Sequence, residues 1–132
     1  MATEEVIYLS YAEAVFLHIE LMHLWGEVRY GVFDRSLVES ALARPQHAAV
    51  YDKADLIAQA ATLCYGLIKN HPWVGGNKRT ATLLVQVFLI RNRMRMKAST
   101  DDLVEMVTAV ESDRWQAKEI EDWLRLRARE VV

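Results

Sequence analysis

The run His71-Pro72-Trp73-Val74-Gly75-Gly76-Asn77-Lys78-Arg79 holds one histidine, two glycines, an asparagine and two cations in nine residues. An imidazole can take a proton from a hydroxyl near neutral pH, which makes His71 the candidate base. Glycine lets a backbone approach a ligand closely and adopt positive φ. Gly75 and Gly76, placed just ahead of a helix start at Asn77, fit an anion nest that leads into free first-turn N–H groups. Lys78 and Arg79 lie in that first turn, where the helix dipole disfavours cations. They call for a negative partner, and phosphate suits both: arginine grips it bidentately while lysine acts as a point charge. The predicted catalytic set is His71, Lys78 and Arg79, and the predicted phosphate-binding set is Gly76, Asn77, Lys78 and Arg79. Trp73 is expected to anchor the loop in the core, and Pro72 to stiffen its entry.

The elements that must position this loop read as helices. Ser10 with Glu13 makes a capping box and opens a helix expected to run through Trp25, with Gly26 as its stop. Gly31 marks a turn and Asp34 caps a short helix that Pro45 is expected to end, since a proline pushes the preceding residue out of the α region. His47 and Tyr51 then fall in a loop, with His47 a candidate to line the motif cleft, and Asp55 is the next N-cap. Leu56 to Ile68 is apolar nearly all round, as is Asn77 to Arg91, and helices of that kind lie in the middle of a domain. The loop at 71–76 therefore joins two buried helices, on a rigid scaffold that suits a binding site. Arg91 to Lys97 alternates cations with apolar residues and reads as a short extended, solvated piece. Ser99 with Asp102 starts a helix carrying Leu103, Met106, Val107 and Val110 at amphipathic spacing. A last helix is expected over about 114–129, with Trp115, Ile120, Trp123 and Leu124 facing inward. The fold class is all-α: about six helices, two of them central, with residues 1–132 as one domain.

Bulk properties narrow the function. The chain has 132 residues, 52% hydrophobic and 26% charged, which suits a folded domain with a real core. A formal net charge of −2 gives no support to nucleic-acid binding through bulk attraction. The single cysteine, Cys64, sits in an apolar run and reads as a small core hydrophobe. No apolar run reaches membrane-spanning length, and the acidic start Met-Ala-Thr-Glu-Glu lacks a targeting pattern. Together these predict a cytoplasmic protein. His18 and His23, five residues apart on the first helix, do not share a face and read as surface or boundary residues rather than metal ligands.

The motif resembles the signature of the Fic/Doc family, and its Doc branch in particular. Fic sequences read roughly His-Pro-Phe-x-acid-Gly-Asn-Gly-Arg-x-x-Arg. Here Lys78 stands where Fic has its second glycine and Thr82 where Fic has its final arginine, both as in Doc. Leu-Val-Glu-Ser-Ala-Leu-Ala-Arg-Pro at 37–45 and Tyr-Gly-Leu-Ile-Lys-Asn-His at 65–71 are similar to Doc-type sequence as well. The resemblance implies a compact helical toxin of a bacterial toxin–antitoxin pair, with a cognate antitoxin protein as partner. It implies transfer of the γ-phosphate of ATP or another nucleoside triphosphate to a hydroxyl of translation elongation factor Tu, with Mg²⁺ accompanying the nucleotide. By the same resemblance His71 is the base, and Gly76, Asn77, Lys78 and Arg79 hold phosphates. Two positions depart from the family pattern. Trp73 replaces phenylalanine, and Gly75 stands where active relatives carry the acidic residue that holds Mg²⁺. No metal ligand is therefore assigned in this chain. Nucleotidyl transfer, and a binding module with impaired chemistry, stay open as alternatives.

Overall fold

The computed structural model describes residues 5–131. In chain order the elements are α1 (Tyr11–Leu24), α2 (Arg35–Asp52), α3 (Leu56–Asn70), α4 (Asn77–Arg91), β1 (Met94–Met96), α5 (Thr100–Glu111), α6 (Ala117–Arg127) and β2 (Ala128–Glu130). The architecture is all-α, with six helices and one small two-stranded sheet among the described residues. The acidic start read for targeting lies outside the described residues, apart from Glu5. No described helix is long and apolar enough to cross a membrane.

Helix starts follow local capping chemistry. Ser10 and Glu13 exchange both bonds of a capping box, as do Ser99 and Asp102. Asp34 accepts from the N–H groups of Ser36 and Leu37, and Asp55 from that of Ala58. Gly26, at φ 67°, takes the left-handed position just past α1.

Helix α3 is the hub. It packs against α2, α4, α5 and α6, and Ile57, Ala60, Ala61, Leu63, Cys64, Leu67 and Ile68 are all buried. Burial pushes the Cys64 thiol up to about 12, so it stays an unreactive thiol in the core. Leu84, Val85, Phe88 and Leu89 of α4 join the same core, as do Val110 of α5 and Ile120 and Leu124 of α6.

Two boundaries differ from the sequence expectation. Helix α2 does not stop at Pro45 but carries it inside and continues to Asp52. Proline removes one N–H and crowds the carbonyl four residues earlier, costing about 3 kcal/mol in a helix interior. Val38, Ala41, Pro45 and Ala48 form one buried stripe packed on α3, and burial of that stripe offsets the local penalty. His47 and Tyr51 consequently stand on a helix and not in a loop. At the other end, α6 begins at Ala117 and yields to β2 at Ala128. There the chain leaves the helix to pair antiparallel with β1, Arg95 opposite Arg129. The extended piece expected near 91–97 is thus real, and its partner strand comes from residues read as helix.

Candidate functional site

The motif begins where α3 ends. His71 is the C-cap of α3 in the left-handed conformation, φ 51° and ψ 53°, which turns the chain sharply out of the helix. Its side chain is 61% exposed, so the imidazole stands at the rim of the site. Pro72 and Trp73 then dive inward and both are buried. As expected, Trp73 is the loop's anchor. Its ring stacks on His18 of α1 with centroids 4.2 Å apart.

Asn77 locks this turn from the inside. Its Nδ2 donates to the Trp73 carbonyl at 2.9 Å, and the Trp73 N–H donates to its Oδ1 at 3.0 Å. Asn77 is buried. Its side-chain amide therefore spends one donor and one acceptor on holding the loop. Gly76 caps α4 in the left-handed region at φ 67°, with no side-chain cap bond. The first-turn N–H groups of α4 thus have no side chain closing them off. Gly75, Gly76, Asn77, Lys78 and Arg79 line a cleft of about 340 Å³ together with His71 and Val74. The structure brings every predicted site residue to one place.

A strap formed by residues 27–34 runs beside the loop. Val32 bridges Trp73, the Phe33 N–H donates to the Pro72 carbonyl, and the Val74 N–H donates to the Gly31 carbonyl. Glycine at 75 has a steric reason: a Cβ there would lie 2.6 Å from the Arg29 carbonyl oxygen of this strap. At Gly76 a Cβ would run into the end of the Met22 side chain.

His18 is not the surface or boundary residue expected from the sequence. It is fully buried, with Nε2 accepting from the Gly31 N–H at 2.9 Å and Nδ1 lying 2.8 Å from Thr80 Oγ1. Since an amide can only donate, Nε2 carries no proton, and Nδ1–H donates to Thr80. Burial lowers its pKa to about 4, so it is a neutral strut between α1, the strap and α4. His23 is exposed beside Tyr30, as expected. His47 lies on α2 in a groove with Ser40, Arg44 and Tyr51, a different groove from the motif cleft.

The two first-turn cations already have anionic partners within the protein, so phosphate is not needed to explain them. Arg79 pairs with Glu27 of the strap at 2.6 Å and lies over the Trp25 ring at 4.8 Å. Lys78 pairs with Glu111 at the end of α5 at 3.3 Å, and the same carboxylate comes within 3.9 Å of His71 Nε2. Glu27, Glu111 and Trp25 were not singled out as site residues from the sequence, because each reaches the motif from another element and leaves no local pattern. Thr80, on α4 itself, escaped because its partner His18 lies 62 residues away on α1. The residues present do not fit a protein-held divalent cation. Position 75 has no room for a side chain, and among the described residues no group of three or more His, Cys, Asp or Glu is arranged to hold a metal.

The family model of the Fic/DOC family matches residues 8–89, a span that includes α1, the strap, α2, α3 and nearly all of α4. The chain is also 39% identical over 83 residues to a protein named Toxin Doc from Mycolicibacterium smegmatis, covering 58% of this chain and 63% of that relative. The alignment thus spans less than two thirds of the relative's length. With the motif, its left-handed histidine and its open helix start on one cleft, the chain belongs to the Fic/Doc family.

Proposed function

We propose that the protein is a Doc-like phosphotransferase, the toxin of a toxin–antitoxin pair acting in the cytoplasm, which phosphorylates a protein hydroxyl. The observation that carries this reading is the cleft itself. An exposed imidazole and the uncapped first turn of α4, with its two cations, line one small space. That combination suits a base working next to a bound phosphate. Similarity to a protein named Toxin Doc supports the same reading.

In this reading the nucleoside triphosphate lays its phosphates on the Gly76–Arg79 backbone. Lys78 and Arg79 exchange part of their contact with Glu111 and Glu27 for phosphate oxygens. His71 takes the proton of the target hydroxyl as its oxygen attacks the γ-phosphorus. The bond to the β-phosphate oxygen breaks, and a nucleoside diphosphate leaves. Phosphoryl transfer depends mostly on positioning and charge neutralisation, which is what this site offers. Mg²⁺ would arrive as part of the nucleotide co-substrate. By the family resemblance the target is translation elongation factor Tu, and the antitoxin covers the toxin when translation must continue.

The test is incubation of the protein with elongation factor Tu and ATP labelled at the α or the γ phosphate. Label arriving from the γ position only is the expected result. Label from the α position would replace this reading with nucleotidyl transfer. No label from either position, with ATP still bound, would reduce the protein to a binding module.

A further inference from the structure

We propose that Glu111 is a positioning residue of this site, a carboxylate that holds the base and the phosphate-binding lysine at a fixed separation. The proposal rests on the phosphotransferase reading above. Glu111 is the last residue of α5, an element outside the span matched by the family model. One of its oxygens is 3.3 Å from Lys78 Nζ and the other 3.9 Å from His71 Nε2. A single side chain thus touches both groups that must act together.

Its placement has no explanation within its own helix. A carboxylate at a helix C-terminus opposes the dipole, and Lys78 in the first turn of α4 opposes its dipole too. The two pair with each other across the site, each offsetting the other's unfavourable position. The α5 end is firmly held. Met106, Val107, Ala109 and Val110 are buried behind it, and Asp113, just beyond it, pairs with Lys69 of α3. Glu111 therefore offers a carboxylate on a well-packed mount to two exposed side chains.

Lysine has a flexible stem and three donors. Holding one donor on Glu111 keeps the ammonium over the cleft and leaves two donors for phosphate. The second oxygen, 3.9 Å from His71 Nε2, is beyond hydrogen-bond length but flanks that edge of the ring, and its charge favours one orientation of an otherwise exposed imidazole. An exposed ion pair by itself contributes little to stability, so the effect should fall on the reaction and not on folding.

The experiment compares wild type, Glu111→Gln and Glu105→Gln, the last an exposed acid on the same helix. For Glu111→Gln, kcat for label transfer should fall by about ten- to a hundredfold, the size expected from misplacing a reacting group by about 1 Å. KM for ATP should change by less than about threefold, and Tm by less than about 2 °C. The ring nitrogen NMR signals of His71 should move in Glu111→Gln and stay put in Glu105→Gln. Unchanged His71 signals in Glu111→Gln would overturn the proposal, whatever the activity. An unchanged kcat would also overturn it, as would a loss of kcat matched by a large fall in Tm. If wild type transfers no label, the phosphotransferase reading fails, while the His71 signals still decide the role of Glu111.

Discussion

His18 of α1 and Thr80 of α4 are joined by a buried hydrogen bond of 2.8 Å, and the same imidazole stacks on Trp73 and accepts from the Gly31 N–H. One neutral side chain thus ties the strap, the motif loop and two helices into a unit. It sets the frame on which His71, Lys78 and Arg79 are displayed.

That frame should be sensitive to acid. The folded pKa of His18 is lowered to about 4, while a histidine in the unfolded chain titrates near 6.5. Above about pH 6.5 both states are neutral and the group makes no difference. As pH falls from about 6.5 to about 4, only the unfolded state takes the proton, so stability drops, by about 3 kcal/mol across the full window. Urea unfolding at pH 7.5, 5.5 and 4.5 should show this slope, and His18→Gln should flatten it. Equal slopes in the two proteins would remove His18 from the account.

Asn77 is a loop lock before it is a ligand. Its replacement by alanine leaves the Trp73 N–H and carbonyl buried without partners, at about 1–3 kcal/mol for each unsatisfied group. Asn77→Ala should therefore unfold at clearly lower urea than wild type, even with no nucleotide present. Normal stability combined with weaker ATP binding would instead make Asn77 a direct phosphate ligand.

Restoring an acid at position 75 should not restore a metal site. Any Cβ there meets the Arg29 carbonyl oxygen, and overpacking of this kind costs about 1–3 kcal/mol. Gly75→Asp and Gly75→Ala should lower Tm alike, with no gain in transfer for Asp. Higher transfer in Gly75→Asp alone would show that the strap yields and that the carboxylate matters more than the space.

His71 can be replaced with little cost to the fold if its backbone conformation is respected. Asparagine accepts the left-handed region more readily than most residues, so His71→Asn should fold like wild type and lose about 10²- to 10⁴-fold in transfer. His71→Val should lose the same activity and also stability, by about 1–2 kcal/mol, because a β-branched residue is strained at φ 51°. Full activity in His71→Asn would exclude histidine as the base.

Much of the site was legible from residue order because it lies within nine consecutive residues. A histidine, two glycines and two cations between apolar helices announce a loop with an anion site, and the helix start at Asn77 follows from the same pattern. Capping boxes at Ser10 and Ser99, and the caps at Asp34 and Asp55, were legible for a similar reason: a cap acts on N–H groups two or three residues away. The Pro45 boundary failed because the local penalty lost to burial of a stripe against α3. The last helix was drawn too long because the pairing partner of 128–130 sits at 94–96, outside any local window.

Sequence alone determined the helical class, the capping points and the membership of the 71–79 cluster, all consequences of short-range periodicity and backbone chemistry. Tertiary structure alone decided what those residues face. His18 meets Thr80 across 62 residues and Glu27 meets Arg79 across 52. Glu111 comes from the far end of α5 to Lys78 and His71. Such pairings follow from how α1 packs on α4 while α4 and α5 pack on α3, and side-chain distances of 3–4 Å exist only once that packing is complete.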